Sequence, residues 1–168
     1  LHALDVKTGK MENLLRTAYS ESFKGLNDLH FAPNGDLYFT DQGQTGLHDP
    51  TGRVYRLRDP GLPSQRLELL IGTVPSPNGL VLNKAENILF IAVTRANAVW
   101  RLPLMGDGSV SKAGTWIQLS GGHGGPDGLA LDAVHHRHQA AERGLVRGPR
   151  VLRPRQEVQL AHGVRSGC

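Results

Sequence analysis

The stretch GLNDLHFAPNGDLYFT, residues 25–40, decides the fold, because its pattern recurs twice further along the chain. It returns as PNGLVLNKAENILFIA at residues 77–92 and begins again as PDGLALD at residues 126–132. Each copy places a polar residue before a short apolar strand, and the two longer copies continue into a turn and a second strand. A repeat of several strands with a period near 50 residues is typical of a β-propeller blade. The sequence therefore predicts an all-β protein built from propeller blades.

The number of blades follows from the length of the chain. The chain has 168 residues, which is room for about three blades, and an open ring would expose sheet edges. We therefore expect a fragment of a propeller, with residues 1–133 forming the partial propeller. In this interpretation the preceding blades and the true N-terminus lie upstream of Leu1.

The strands can be placed by alternation and by turn residues. Residues 29–32 and 36–40 are expected to form a hairpin around Asn34-Gly35, a frequent hairpin turn. Residues 79–82 and 88–93 repeat this hairpin in the second copy. Segments 53–57 and 98–102 then match each other as the next strands, and no segment predicts a helix longer than about two turns.

The charge is unevenly distributed. Residues 1–133 carry 12 Lys and Arg against 13 Asp and Glu, whereas residues 134–168 carry 7 Arg against 2 Glu. The repeat stops in this tail, which has no Lys, Phe, Tyr or Trp, and its composition resembles GC-rich DNA read in a wrong frame. We interpret residues 134–168 as a frameshifted or disordered tail that adds no regular strand. Binding of nucleic acid or acidic membrane by this basic tail is the alternative.

The recurring polar residues are Asn27, Asn78 and Asp127, each expected just before a strand. Equivalent positions of propeller blades converge around one axis, so their side-chain oxygens should cluster on one face. Amide and carboxylate oxygens suit hard divalent cations such as Ca²⁺, Mg²⁺ or Mn²⁺. Asn-Gly and Asp-Gly are also common turn pairs, which is the alternative explanation.

Other candidate features are weaker. The loop at residues 41–50 is either a substrate loop or a solvated excursion, and His123 either faces the channel or lies in solvent.

The sequence has no nucleophile elbow, phosphate-binding loop or zinc-ligand spacing. No apolar run reaches the roughly 18 residues of a membrane helix. The single cysteine, Cys168, excludes an internal disulfide. The compartment stays open, with the cytoplasm favoured.

At these residues the chain resembles the gluconolactonase and regucalcin (senescence marker protein) family. The phrases that carry the resemblance are LNDL at residues 26–29, GDLYFTD at 35–41, SPNGL at 76–80 and GPDGL at 125–129. The resemblance implies a fragment of a six-bladed propeller from a lactonase that uses one divalent cation. Ca²⁺ is the expected ion, with Zn²⁺, Mg²⁺ and Mn²⁺ as alternatives.

The resemblance also implies roles for the three residues. Asn78 and Asp127 fall on metal ligands, Asp127 is in addition the catalytic residue, and Asn27 meets substrate or water. A Glu ligand would lie upstream of Leu1. An Arg that holds sugar hydroxyls in some members would fall near Gly25 of this chain. That contact is therefore not carried over, and the substrate preference stays open.

The predicted function of the complete parent is metal-dependent hydrolysis of a small-molecule sugar lactone, with the fragment itself inactive. No nucleic-acid or membrane partner is expected. Two alternatives remain at this point: a non-catalytic NHL-like propeller that binds protein or peptide, and a propeller enzyme of the strictosidine synthase or paraoxonase kind.

Overall fold

A computed structural model describes residues 1–120, 124–131 and 158–161 of the chain. Within these residues the regular structure consists of strands and a single 3₁₀ turn, Thr94–Ala96. The strands are β1 His2–Leu4, β2 Met11–Asn13, β3 Thr17–Ala18, β4 Glu21–Ser22, β5 Leu26–Phe31, β6 Leu37–Asp41, β7 Gly52–Arg58, β8 Arg66–Val74, β9 Pro77–Leu82, β10 Ile88–Val93, β11 Ala98–Pro103, β12 Gly114–Gln118, β13 Gly128–Leu131 and β14 Val158–Ala161.

Two antiparallel four-stranded sheets form the body of the structure. The first blade has the order β5-β6-β7-β8 and the second has the order β9-β10-β11-β12. Each is a simple meander, in which consecutive strands are neighbours. The expected four-stranded blades are therefore confirmed for these two repeats. No helix in the described part of the chain is long and apolar enough to cross a bilayer.

Hydrogen bonds within the turns stabilise both inner hairpins. Between β5 and β6, Gly35 has a φ of 91° and donates its N–H to the carbonyl of Ala32 at 2.9 Å. The Asn34 side chain accepts the N–H of Asp36 at 3.0 Å. Between β9 and β10, the side-chain oxygen of Asn83 accepts the N–H of Ile88 at 2.9 Å. Local side-chain to backbone bonds of this kind stabilise the turn and set the register of the strands.

The main hydrophobic core lies between the two blades. Tyr38 and Val54 of the first blade pack in one cluster with Leu80, Leu82 and Ile91 of the second. All five side chains are buried, and burying an aliphatic side chain of this size contributes about 1.5–3 kcal/mol. This packing fixes the inner strands β5 and β9 side by side. The elements that carry Asn27 and Asn78 are thereby neighbours in space.

The remaining strands cover the outer faces of the two blades. Ala18, Leu14 and Phe23, from the segment that precedes β5, pack against Phe39 and Tyr55 of the first blade. On the opposite side, Leu129 and Leu131 of β13 pack against the second blade. The third repeat therefore begins as expected, with its first strand stacked beside β9.

The tail contains one strand within the described part of the chain. Strand β14, Val158–Ala161, pairs antiparallel with β13 from Gly128 to Leu131. The expectation that the tail adds no regular strand is therefore wrong at these four residues, because their backbone completes hydrogen bonds that the edge of β13 offers. The other residues of 134–168 lie outside the described part, so the frameshift interpretation stays a prediction.

Candidate functional site

Asn27 and Asn78 occupy the same structural position, within a strand. In the first blade Leu26 pairs with Asp41 and Leu29 with Phe39, so two residues oppose one. In the second blade Pro77 pairs with Val93 and Leu80 with Ile91, which leaves two residues opposite one again. The expectation that both asparagines precede a strand is wrong, because each stands in a β-bulge near its beginning. Bulges bend a strand locally and re-aim side chains, and they are over-represented beside active sites.

The Asn78 carboxamide is held by the end of the neighbouring strand. Its Nδ2 donates to the hydroxyl of Thr94 at 3.3 Å. That hydroxyl in turn donates to the carbonyl of Pro126 at 2.8 Å. Because Pro126 directly precedes Asp127, this chain of bonds connects the second blade with the start of the third.

Asn27 has a matching environment in the first blade. Its Nδ2 donates to Oε1 of Gln42 at 2.8 Å, and Gln42 Nε2 donates to the hydroxyl of Ser76 at 2.8 Å. Ser76 lies just before β9 and the Asn78 bulge. The side-chain contacts of Asn27 thus lead to the segment that opens the next blade.

Asp127 lies next to the Asn78 bulge. The N–H of Gly79 donates to the backbone carbonyl of Asp127 at 3.0 Å. Only glycine fits at position 79, since a Cβ there would come within 2.3 Å of that same oxygen. The Asp127 carboxylate is exposed and makes no hydrogen bond within the described part of the chain. The structure therefore brings the backbones of residues 79 and 127 into direct contact, with an ionisable group at their junction.

The first and second bulges are also tied together. Oδ2 of Asp28 accepts the N–H of Leu80 at 3.4 Å, a long bond between the two inner strands. The N–H of Asp28 itself donates to the Thr40 hydroxyl at 3.1 Å. Strands β5, β9 and β13 therefore line up with their polar positions at the same end. Whether the three side-chain oxygens converge on one cation stays a prediction.

The donor set has a clear chemical character. Among residues 1–120, 124–131 and 158–161, no three His, Cys, Asp or Glu side chains come together. A cation held by the three predicted residues would have two neutral amide oxygens and one carboxylate as its ligands. Oxygen donors of this kind match Ca²⁺ and Mg²⁺ better than soft thiolate-binding metals.

A cleft opens beside Gln42 and Ser76, and its described lining does not include Asn27, Asn78 or Asp127. Its volume is about 510 Å³, and residues 42–48 line it together with Ser76 and Arg95. The loop is fixed to the second blade, because Thr45 accepts the N–H of Ser76 at 3.0 Å and donates to the carbonyl of Gln42 at 2.7 Å. The loop 41–50, which the sequence left open between two interpretations, thus forms the wall of a cleft. His123 lies outside the described residues.

A buried ion pair supports the loop. Asp41 is fully buried and accepts Arg53 Nε at 2.8 Å and the N–H of Gly25 at 2.7 Å. Burial alone would lower the pKa of Arg53, but the hydrogen bond and charge of Asp41 raise it above its usual range. The pair holds the chain segments that carry Asn27 and Gln42 in place.

Sequence reasoning missed Thr94 and Ser76, and it named Gln42 only as part of the loop 41–50. Gln42 and Thr94 are equivalent, since each follows directly after the second strand of its blade. Their side chains differ, so the repeat does not reveal them. The sequence signal that could have found them is their position in the repeat. Each follows directly after the strand that pairs with the strand carrying a recurring asparagine.

Two stacked antiparallel blades, a third inner strand and an oxygen-rich edge define a β-propeller with a small polar site. The family described as SMP-30/Gluconolactonase/LRE-like region matches residues 1–154. The chain belongs to this family.

Comparisons with individual proteins agree with that assignment. Lactonase drp35 of Staphylococcus aureus (strain MW2) is 32% identical over 112 residues, covering 64% of this chain and 33% of that protein. The chain thus spans about a third of the length of this curated relative. A gluconolactonase structure from Xanthomonas campestris has a TM-score of 0.64 at 21% identity, over 78% of this chain and 45% of that one.

Like the Xanthomonas campestris structure, a second solved structure supports the fold alone. A luciferin-regenerating enzyme gives a TM-score of 0.60 at 18% identity, over 74% of this chain and 41% of the other. Both likenesses confirm the propeller architecture.

Proposed function

We propose that this chain is about half of a six-bladed propeller, and that the complete protein hydrolyses a sugar lactone with the help of a divalent cation. The observation that carries the proposal is the junction of the Asn78 bulge with Asp127. There an amide and a carboxylate come from neighbouring blades, and Ser76, which comes just before the bulge, lines a polar cleft. The family and the 32% identity to a lactonase agree with it.

Asn78 and Asp127 would hold the cation, and Ca²⁺ is the expected ion, with Mg²⁺, Mn²⁺ or Zn²⁺ as alternatives. The chemistry supplied by such an ion, when bound, is polarisation of the lactone carbonyl and stabilisation of the negative charge that develops on its oxygen. Asn78 presents a neutral oxygen, so its contribution to affinity should be smaller than that of the Asp127 charge.

In this proposal Asp127 is the catalytic residue. Its exposed carboxylate accepts a proton from the attacking water as the new bond between water oxygen and carbonyl carbon forms. The ring carbon–oxygen bond then breaks, and the proton passes to the ring oxygen, which becomes the hydroxyl of the product hydroxy acid. A positioned base of this kind contributes about 10²- to 10⁴-fold in rate.

The remaining polar groups would bind and orient the substrate. Asn27 would contact the lactone or the attacking water, and the cleft would hold the rest of the sugar. Gln42, Thr45 and Ser76 provide donors and acceptors that match ring hydroxyls, and Arg95 adds a positive charge at the rim. These side chains lie on a loop and on strand ends whose backbone is fixed by the first two blades.

The test is a divalent-metal titration of lactone hydrolysis by the full-length protein and by the 168-residue chain. Activity of the full-length protein should require added metal. Asp127→Ala should lower kcat by about 10²- to 10⁴-fold. The matched control is Glu12→Ala, which removes an exposed carboxylate on β2 and should leave turnover unchanged.

The isolated chain should be inactive or nearly so, because an open set of blades leaves its site exposed to water and without further ligands. Full activity in excess chelator would contradict the metal mechanism, as would an unaffected Asp127→Ala variant. Binding of metal without hydrolysis of any sugar lactone would contradict the lactonase assignment.

A further inference from the structure

Both complete blades contain the same relay of side chains. In each, the bulge asparagine donates its Nδ2 to the residue directly after the second strand: Gln42 in the first blade and Thr94 in the second. That residue then donates to the segment that opens the next blade, at Ser76 or at Pro126. The chemistry of the middle residue differs, yet the direction of the hydrogen bonds is the same. A shared direction in two different residue types indicates a common requirement.

The second relay has only one possible direction. A threonine hydroxyl has a single proton, and in Thr94 that proton is directed at the Pro126 carbonyl, which cannot donate. Towards Asn78 the hydroxyl can therefore only accept. The NH₂ group of Asn78 must face Thr94, and its Oδ1 must point away from it.

The first relay has the same direction in the structure, where the Ser76 hydroxyl accepts from Gln42, although a serine hydroxyl is able to donate as well. Gln42 directs its NH₂ group at Ser76, so its Oε1 faces Asn27. An oxygen in that position selects the NH₂ group of Asn27 as its partner. Again the Oδ1 of the asparagine points away from the relay.

We propose that Thr94 and Gln42 are positioning residues that orient the carboxamides of Asn78 and Asn27. Carboxamide oxygen and nitrogen have nearly the same shape, so the surrounding hydrogen bonds decide which one is presented. A reversed amide would present its NH₂ group in place of its oxygen, and an amide NH₂ group cannot coordinate a cation. For the role in catalysis this inference rests on the proposed function, but the orientation of the Asn78 amide follows from its contacts alone.

The Thr94 relay also has a second effect. Because its hydroxyl is bonded to Pro126, the orientation of the Asn78 amide depends on the third inner strand being in place. Gly125 packs so closely on Thr94 that a Cβ at residue 125 would lie 2.0 Å from the Thr94 carbonyl oxygen. The orientation of the Asn78 amide and the position of Asp127 therefore depend on the same packing of the third inner strand against the second blade.

The experiment compares Thr94→Val with Thr94→Ser in the full-length protein. Valine keeps the shape and removes the hydroxyl, whereas serine keeps the hydroxyl. Thr115→Val, at an exposed threonine on β12, is the matched control. The first readout is the metal-free protein: the Asn78 Nδ2 proton resonances, assigned by their loss in Asn78→Asp, should shift in Thr94→Val but not in Thr94→Ser.

The second readout is the Kd for Ca²⁺ by calorimetry. Changes to groups that orient metal ligands cost about 10- to 100-fold in affinity, and we expect a loss of this size in Thr94→Val. Thr94→Ser and Thr115→Val should bind as the wild type does. Gln42→Met should produce the corresponding shift at the Asn27 amide and raise KM for the lactone.

The outcomes separate this inference from the proposed function. Unchanged Asn78 amide resonances and an unchanged Kd in Thr94→Val would overturn the relay, and so would failure of Thr94→Ser to restore both. If the wild type bound Ca²⁺ but hydrolysed no lactone, the proposed function would fail while the relay could still stand. If Thr94→Val did not fold, the serine variant and the wild-type amide resonances would decide.

Discussion

Replacing Asp41 by Asn should destabilise the first blade far more than its small change in shape suggests. The Asp41 carboxylate is 0% exposed, and each polar group that it contacts is a donor. It accepts the N–H of Gly25 at 2.7 Å and Nε of Arg53 at 2.8 Å, with a further contact to Nη2 of Arg53. An asparagine has one NH₂ group, which would have to face one of these donors.

The magnitude follows from what Arg53 would retain. Removing one partner of a buried ion pair costs about 3–5 kcal/mol. The guanidinium keeps two other acceptors, Glu21 at 3.0 Å and the carbonyl of Ser22 at 3.0 Å. We therefore expect a loss at the lower end, about 3 kcal/mol, which lowers Tm by about 6–12 °C in a chain of this size.

The assay is thermal and urea unfolding followed by far-ultraviolet circular dichroism, with Glu21→Gln as control. The Glu21 side chain is 75% exposed, and an exposed ion pair contributes at most about 1 kcal/mol. An Asp41→Asn variant as stable as the wild type would refute the reasoning, because the buried carboxylate would then not need its charge. Equal losses in both variants would refute it too.

Three further outcomes are expected. Gly79→Ala should lower Tm strongly in thermal denaturation, since its Cβ would meet the Asp127 carbonyl oxygen at 2.3 Å, whereas Gly106→Ala, with open space around it, should be nearly neutral. Burial lowers the pKa of His30 from 6.5 despite the opposing charge of Asp28, so folding favours the neutral imidazole. The free energy of unfolding should therefore fall between about pH 7 and pH 5 in urea titrations, and fall less in His30→Gln. Arg95→Gln should raise KM more for a carboxylate-bearing lactone than for a neutral one in steady-state kinetics; an equal change for both would exclude a charge contact.

The blades were predictable because their information is local. The Asn34-Gly35 turn and the apolar strands on either side define one hairpin, and residues 77–92 repeat it. The bounds differed at the start of each inner strand, which begins at Leu26 and Pro77. The bulges explain this difference. In each bulge two residues face one residue of the partner strand, which interrupts the alternation of polar and apolar residues, so the beginning of the strand looks like a loop in the sequence.

The site was only partly predictable. Asn27, Asn78 and Asp127 stand out by their repeat phase, and the contact of Gly79 with Asp127 shows that neighbouring blades bring such positions together. Gln42 and Thr94 depend on pairing between strands and on the stacking of blades. Nothing in their own sequence neighbourhood states which residue they will meet.

The hydrogen bond from the N–H of Gly79 to the carbonyl of Asp127 has a consequence for how the molecule opens. Among the described residues it is a backbone–backbone hydrogen bond between the second blade and the start of the third, so this amide should exchange with solvent deuterium when the third strand separates from the second blade. Its exchange rate therefore measures the free energy of that separation, independently of global unfolding. A ligand that bridges the two strands should slow the exchange in proportion to its concentration above Kd. A single backbone amide would thus report how strongly substrate or metal holds the blades together.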